Sequence, residues 1–389
     1  MQTAQNDKYY ISPQILGFHK MEHDEYHPFF FKPKTLSWLS VLLIVLNKLA
    51  RSDFLFNLAR NFVPSVETEE EMEDVQTKAA CLGALCAFLC FASIHYPNTI
   101  MQRPHPIFWR VVLGLFSVYA VFMTYLFLLP LKVVQQHLKF FDPKLGKELP
   151  EVLYAEDCRL YTPENPNSPF APLVMAVFDV HFVAHLLGWW VKMLICRDLW
   201  VAWICSVVFE LLELTFRYWL PNFYECWWDS LLLDIFGCNL LGIVLGYQTL
   251  KYFGVKRQDW VAKKKPEGTC LPCDAPVRFF AKMMPASLQT YEWSGLQDVT
   301  HYMGVTVFCC MTLAVDCNNF FLKYLAWIPA DHNIVAGRVV LWGLVAIADS
   351  KEWYEYVTNP NMHRPGPFVW LGFYVCAIEL SCVYKFRAD

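Results

Sequence analysis

Between Asp179 and Asn239 the chain reads DVHFVAHLLGWWVKMLICRDLWVAWICSVVFELLELTFRYWLPNFYECWWDSLLLDIFGCN. One imidazole and five carboxylates, His185, Glu210, Glu213, Glu225, Asp229 and Asp234, fall within 50 residues, inside or between apolar runs. A carboxylate at membrane depth costs about 3 kcal/mol on insertion scales, so a cluster of them marks a functional site. Imidazole is the side chain suited to moving a proton near neutral pH. Gathered carboxylates with amide and backbone oxygens form a hard ligand set for Ca²⁺, or for Mg²⁺ or Mn²⁺. Such a cation would relieve the repulsion among acids that could not otherwise all ionise together. The opposing reading is pairwise neutralisation, and Glu213 and Arg217 do stand at i,i+4. Arg217, Lys192 and Arg197 are nevertheless too few to neutralise the set.

The elements that must position these groups are membrane helices. Crossing a hydrocarbon core of ~30 Å takes about 20 apolar residues. Nine stretches qualify, at about 35–56, 79–96, 107–131, 173–196, 199–220, 230–253, 301–327, 333–349 and 367–386. The first and eighth are short and interrupted by Lys48 and Arg338. The expectation is an all-α polytopic protein with about nine transmembrane helices: a cytosolic segment at 1–34, then a multispan catalytic domain at 35–386. Hydrophilic connections are expected at 62–78, an acidic solvated loop, at 132–172, and at about 254–300, the largest. The Lys/Arg distribution places the amino terminus in the cytosol and the PNFYECWWD connection on the lumenal side. His185 then lies about halfway down span four, and Glu210 and Glu213 share a face near the lumenal end of span five. Asp234 lies about 7 Å below the start of span six. Asn222 and Glu225 would close the site from above. Trp227 and Trp228 suit an interfacial belt, and Trp189 and Trp190 suit packing.

Composition agrees. Hydrophobic residues make up 56% of the 389 and charged ones 17%, against a soluble norm nearer 45–50% and 25%. A net charge of −4 without a basic block gives no nucleic-acid partner. The first 30 residues lack an apolar core beside a cleavage site, so no cleaved signal peptide is expected. Most of the fifteen cysteines lie in apolar segments, as small hydrophobes. Cys270 and Cys273 form a lone CxxC without a second ligand pair. Cys158 and Cys226 fall on the same expected side, which permits a disulfide without requiring one. His181 lies four residues before His185 on the same helix face. Arg103 and His105, in RPHP at the cytosolic face, read equally as a lipid-phosphate contact or as a proline-capped helix start.

RPHPIFWR, AHLLGWWVK, FELLELTFRYWLPNFYECWWDSLLLDIFGCN and NNFFLKYLAWIP together resemble the eukaryotic base-exchange phosphatidylserine synthases, over about residues 28–386. The resemblance implies a multispan endoplasmic reticulum enzyme that replaces a phospholipid headgroup with L-serine, using Ca²⁺ and no nucleotide. It implies His185 as the catalytic histidine. Glu210, Glu213, Asn222, Glu225, Asp229 and Asp234 match the family's essential acidic and amide positions, and Asn239 follows in the same motif. Arg103 and His105 match a cytosolic-side site linked to control by the product lipid, and Asn239 is grouped with these lipid or regulatory contacts. DPKLGKELPEVLYAEDCRLYTPENP is closer to the members using phosphatidylethanolamine than to those using phosphatidylcholine. A homodimer is compatible with the resemblance. Two positions depart from the pattern: Asp316-Cys317-Asn318-Asn319 stands where Glu-Leu-Asn-Thr is usual, and Lys351 where an arginine is usual.

In that scheme His185 is the base toward serine, and Glu210, Glu213, Glu225, Asp229 and Asn222 hold Ca²⁺. Asp234 either orients His185 or grips the serine amino group. Direct displacement and a phosphatidyl-histidine route both fit. The chain has no P-loop and no DG…AR…G…D…D pattern of CDP-alcohol transferases. A cation-coupled transporter would show broken helices or an inverted repeat. A membrane O-acyltransferase would use the histidine but leave the carboxylates unexplained.

Overall fold

Inside a bilayer every backbone amide must find its partner within the chain, which makes a helix the solution for each apolar run. The computed structural model describes residues 69–149, 180–220, 225–255, 299–359 and 364–387, with 158–164 and the single positions Val41, Phe170, Phe223, Gln258, Trp260 and Met362. Every regular element among these residues is helical. In chain order they are α1 (Glu69–His95), α2 (Pro106–Leu128), α3 (Leu131–Phe141), α4 (Val180–Cys196) and α5 (Leu199–Phe216). A π-helical segment (Asp229–Asn239) runs directly into α6 (Leu240–Tyr252), followed by α7 (Val299–Leu325), α8 (Asn333–Thr358) and α9 (Pro367–Phe386).

Among the described residues seven helices are long and apolar enough to cross a membrane, and α4 adds a shorter apolar one, Phe182–Cys196. The all-α multispan architecture is therefore observed. The expected first span at 35–56, apart from Val41, and the CxxC at Cys270 and Cys273 lie outside the described residues. So does most of the connection at 254–300. The chain divides into two compact units, Met1–Cys90 and Phe91–Asp389, and the site belongs to the second.

Three segments differ from expectation. The acidic stretch at 62–78 is helical from Glu69, because Glu, Met, Gln and Lys are good helix formers and early glutamates suit the helix dipole. Within 132–172, α3 is an amphipathic helix that buries Val134, Gln135 and Leu138, and Gln135 Nε2 donates to the Leu325 carbonyl at the end of α7 at 3.1 Å. The eighth span is a full-length helix despite Arg338, whose charge is met inside the bundle. Arg338 Nη2 lies 2.6 Å from Glu379 Oε2 and Nη1 donates to Asn319 Oδ1 at 3.1 Å. Tyr119, Asn318 and Trp342 also donate to the fully buried Glu379.

Two local features bring the site helices together. Only Arg197, with φ 54°, separates α4 from the Asp198 N-cap of α5, whose Oδ1 accepts from the amides of Trp200 and Val201 at 2.8 and 3.0 Å. A left-handed residue of this kind reverses the chain in minimal length. On α6, Gly242 and Gly246 form a GxxxG face against α4. A Cβ at Gly242 would stand 2.4 Å from the Leu186 carbonyl oxygen, and one at Gly246 would stand 2.7 Å from Met193 Cβ. Small residues at this spacing let two membrane helices approach backbone to backbone.

Cross-contacts sort the connections onto two faces that match the expected alternation of span directions. At one face Trp260 Nε1 donates to the Cys196 carbonyl, Ser350 to that of Ile195 and Lys351 to that of Ile100. At the other, Asp142 meets His332 at 3.3 Å and Cys158 is disulfide-bonded to Cys226.

Gly242→Ala is expected to destabilise the protein by about 1–3 kcal/mol, since rigid backbone must yield. Gly337→Ala on α8, with nothing within 4 Å of the added carbon, should be neutral or slightly stabilising. Thermal unfolding of both variants in one detergent checks the pair; equal midpoints would remove the close approach as a constraint.

Candidate active site

His185 sits on the face of α4 that packs against the π-helical segment and α5. Its Nδ1 is 3.2 Å from Asn239 Oδ1, 3.6 Å from Asp234 Oδ1 and 3.9 Å from Glu210 Oε1. Asn239, completely buried, donates through Nδ2 to Glu210 Oε1 at 2.9 Å. That bond fixes the amide so that its oxygen faces the imidazole. Three oxygens facing Nδ1 favour the tautomer with its proton there, which makes Nε2 the basic nitrogen.

The π-helical segment makes this convergence possible. Residues five apart on an α-helix point about 140° away from each other. With i→i+5 bonding, Asp234 and Asn239 stack on one face and both reach His185. Such segments are rare and concentrate at functional sites. Cys238, absent from the sequence-based candidates, completes this face: Sγ lies 3.3 Å from Asp234 Oδ1 and 3.6 Å from Asn239 Oδ1. His185, Asp234 and Cys238 present donor atoms within 4.8 Å of one another. Here the thiol acts as a hydrogen-bond donor and holds the carboxylate in place.

Glu210 and Glu213 are buried on α5, as their spacing predicts. One oxygen of each, Oε2, is buried without a hydrogen-bond partner. Among the described residues no Lys or Arg forms an ion pair with Glu210, Glu213 or Asp234; Lys192 is paired with Asp316. Pairwise neutralisation of Glu213 by Arg217 is not formed, and Arg217 Nη2 donates to the Tyr218 hydroxyl at 2.8 Å. Glu225 is half-buried at the rim, with Asp234, Asp229 and Glu210 as its charged neighbours. Burial first, and then the Asp234 charge, hold its carboxyl well above the usual carboxylate range. Buried oxygens left unsatisfied among like charges fit a hard divalent cation.

Not every candidate converges. Asn222 and the side chain of His181 lie outside the described residues. Arg103 and His105 are exposed at the start of α2, at the opposite face. His105 Nδ1 accepts the Ile107 amide at 3.2 Å as the N-cap, and the Arg103 carbonyl accepts from Trp109 Nε1 at 2.7 Å. Asn239, grouped by sequence with outer lipid contacts, lies at the centre. Trp228, expected in an interfacial belt, is buried and donates to the Cys158 carbonyl at 3.1 Å, whereas Trp227 is exposed.

A cavity of about 540 Å³ opens between α4, α5, α7 and α8, with His185 on its wall. Trp189, Phe209, Phe320 and Trp342 make it largely apolar. A proton-accepting imidazole beside an acid set that fits a cation and an apolar chamber is the equipment for phosphoryl transfer on a membrane lipid.

A family model described as phosphatidyl serine synthase matches residues 104–387. The chain belongs to this family. Members are phosphatidyltransferases, and the family's substrates are phospholipid and serine in a membrane. The chain is 36% identical to an Arabidopsis thaliana protein named CDP-diacylglycerol--serine O-phosphatidyltransferase 1, over 92% of this chain and 81% of the relative. It is 35% identical to a protein of that name, numbered 2, from Oryza sativa subsp. japonica, over 94% and 84%. It is 31% identical to phosphatidylserine synthase 2 of Homo sapiens, over 90% and 70%. The family match contains every candidate site residue except Arg103.

Without a cation, the folded protein keeps a proton on Glu225 that the unfolded chain releases near the ordinary value of 4.5. A raised carboxyl of this kind contributes stability that is lost as pH rises through its folded value. A divalent cation should therefore raise the unfolding temperature more at pH 8 than at pH 5. Thermal unfolding with Ca²⁺ or chelator at both pH values measures this; an equal effect would separate Glu225 from the cation.

Proposed function

We propose that the chain synthesises phosphatidylserine by Ca²⁺-dependent base exchange in the endoplasmic reticulum membrane, replacing the ethanolamine of phosphatidylethanolamine with L-serine. The contact of His185 with a buried, unneutralised acid set inside a membrane bundle is the observation that carries it. His185 Nε2 takes the proton of the serine hydroxyl as the oxygen attacks phosphorus, and returns it to the departing ethanolamine oxygen. Asp234 and Asn239 hold the ring and its tautomer through Nδ1, which favours the orienting role for Asp234. Glu210, Glu213, Glu225 and Asp229, with Asn222, would hold Ca²⁺. When bound, the cation supplies positive charge against the non-bridging phosphate oxygens.

One phosphodiester replaces another, so no nucleotide is needed, in keeping with the absence of P-loop and CDP-alcohol motifs from the sequence. The largely apolar lining of the cavity disfavours water, which would otherwise hydrolyse the lipid. Phosphatidylethanolamine is favoured over phosphatidylcholine by the segment at 142–166. The Cys158–Cys226 pair supports a lumenal location for its face, because disulfides persist in oxidising compartments.

A second reading has CDP-diacylglycerol as donor, as the names of the plant relatives say of those proteins. Labelled L-serine, supplied to purified protein in mixed micelles with phosphatidylethanolamine, phosphatidylcholine or CDP-diacylglycerol, separates the readings. Calcium-dependent product from phosphatidylethanolamine without nucleotide is expected. His185→Ala should lose about 10²–10⁴-fold in rate, and Glu213→Gln should lose most activity and the response to Ca²⁺. Product from CDP-diacylglycerol alone would replace base exchange with the second reading.

A further inference from the structure

Beyond the acid set, the cavity contains an ion pair that the reaction as described does not use. Lys192 Nζ lies 2.7 Å from Asp316 Oδ2, and both side chains remain 23% exposed on the cavity wall. Oδ2 is buried and, among the described residues, has no partner besides this ion contact. Lys192 stands seven residues after His185, two turns along the same face of α4. Its side chain folds back toward His185, with Nζ 4.0 Å from the Trp189 ring centroid and 5.3 Å from that of Phe209. Glu210 is within its electrostatic reach, and Cys317, next to Asp316, feels both Lys192 and Glu213. The other cation on the wall, Arg338, is committed to Glu379 and Asn319.

We propose that Lys192 and Asp316 form the recognition site for the acceptor amino acid, Lys192 taking the α-carboxylate of L-serine and Asp316 its α-ammonium. This rests on the exchange reading above. The charge logic selects this ligand. A phosphate alone would meet repulsion from Asp316, and a simple amine would meet repulsion from Lys192. A zwitterion exchanges one ion contact for two charge-assisted hydrogen bonds of opposite sense. The hydroxyl of a three-carbon amino acid held there extends along α4 toward His185. Ethanolamine lacks the carboxylate and is not retained, so the pair also favours departure of the exchanged base.

Initial rates with phosphatidylethanolamine and Ca²⁺ would be measured for wild type, Lys192→Gln and Asp316→Asn. The acceptors are L-serine and serinol, in which a hydroxymethyl group replaces the carboxylate. Lys192→Gln should raise the KM for L-serine about ten- to hundredfold, the loss of one charge-assisted contact, while the lipid KM and kcat/KM for serinol stay within about twofold. Asp316→Asn should weaken both acceptors, because both carry the ammonium. If Lys192→Gln slows serine and serinol equally, or raises the lipid KM, Lys192 serves the phosphate or the fold and the proposal falls. A wild-type protein that transfers neither acceptor from this lipid would overturn the exchange reading itself, a result visible without any variant.

Discussion

Several carboxylates are held together where water cannot solvate them, and much of the described bundle answers that constraint. Like charges in a low-dielectric interior repel strongly, and a buried carboxylate oxygen without a partner is costly. The chain does not relieve the cost with basic side chains at the site. Arg338 is bound to Glu379 and Lys192 to Asp316, and neither forms an ion pair with Glu210 or Glu213. The acid set is thus left without a basic partner among the described residues, and the chain's own cations line the chamber beside it.

Holding such a set requires helices closer than ordinary side chains permit. Gly242 and Gly246 lower α6 onto α4, and the single left-handed residue Arg197 folds α5 back beside α4. His185, Glu210 and Asp234 then meet from three elements without a long side chain reaching between them. Glu352 performs a comparable task away from the site: buried on α8, its Oε2 accepts the amides of Phe368 and Val369 and so caps the first turn of α9. Capping across helices serves where solvent cannot.

The chemistry was more legible in the sequence than the geometry. His185, Glu210, Glu213 and Asp234 were visible because polar residues inside apolar runs have few explanations, and the structure places Glu210 and Asp234 within 4 Å of His185, with Glu213 buried on the helix that carries Glu210. Asn239 was harder to place, because its convergence with Asp234 depends on i→i+5 bonding, for which DSLLLDIFGCN carries no periodic signal; Cys238, four residues after Asp234, read as one more small apolar residue. Arg338 made the eighth span look weak because its partner Glu379 lies 41 residues further along. The acidic run before the second span hid a helix, since solvation and helix formation favour the same residues. The GxxxG of α6 was available as a signal for close packing, and it marks the contact on which the site depends.

The π-helical segment has a consequence for how the chain tolerates length changes. Each residue of an α-helix turns the face that follows by about 100°. A wide-turned stretch between Asp229 and Asn239 absorbs a residue that a regular helix would have displayed as rotation. Deleting one residue there could restore ordinary winding with the face of α6 still turned toward α4, whereas deleting one from the regular helix just after it, between Asn239 and Gly242, would turn Gly242 and Gly246 by about 100° away from α4. The segment therefore buffers the phase of α6 against length changes that the regular helix beside it would pass on in full, although every side chain outside the deletion remained the same.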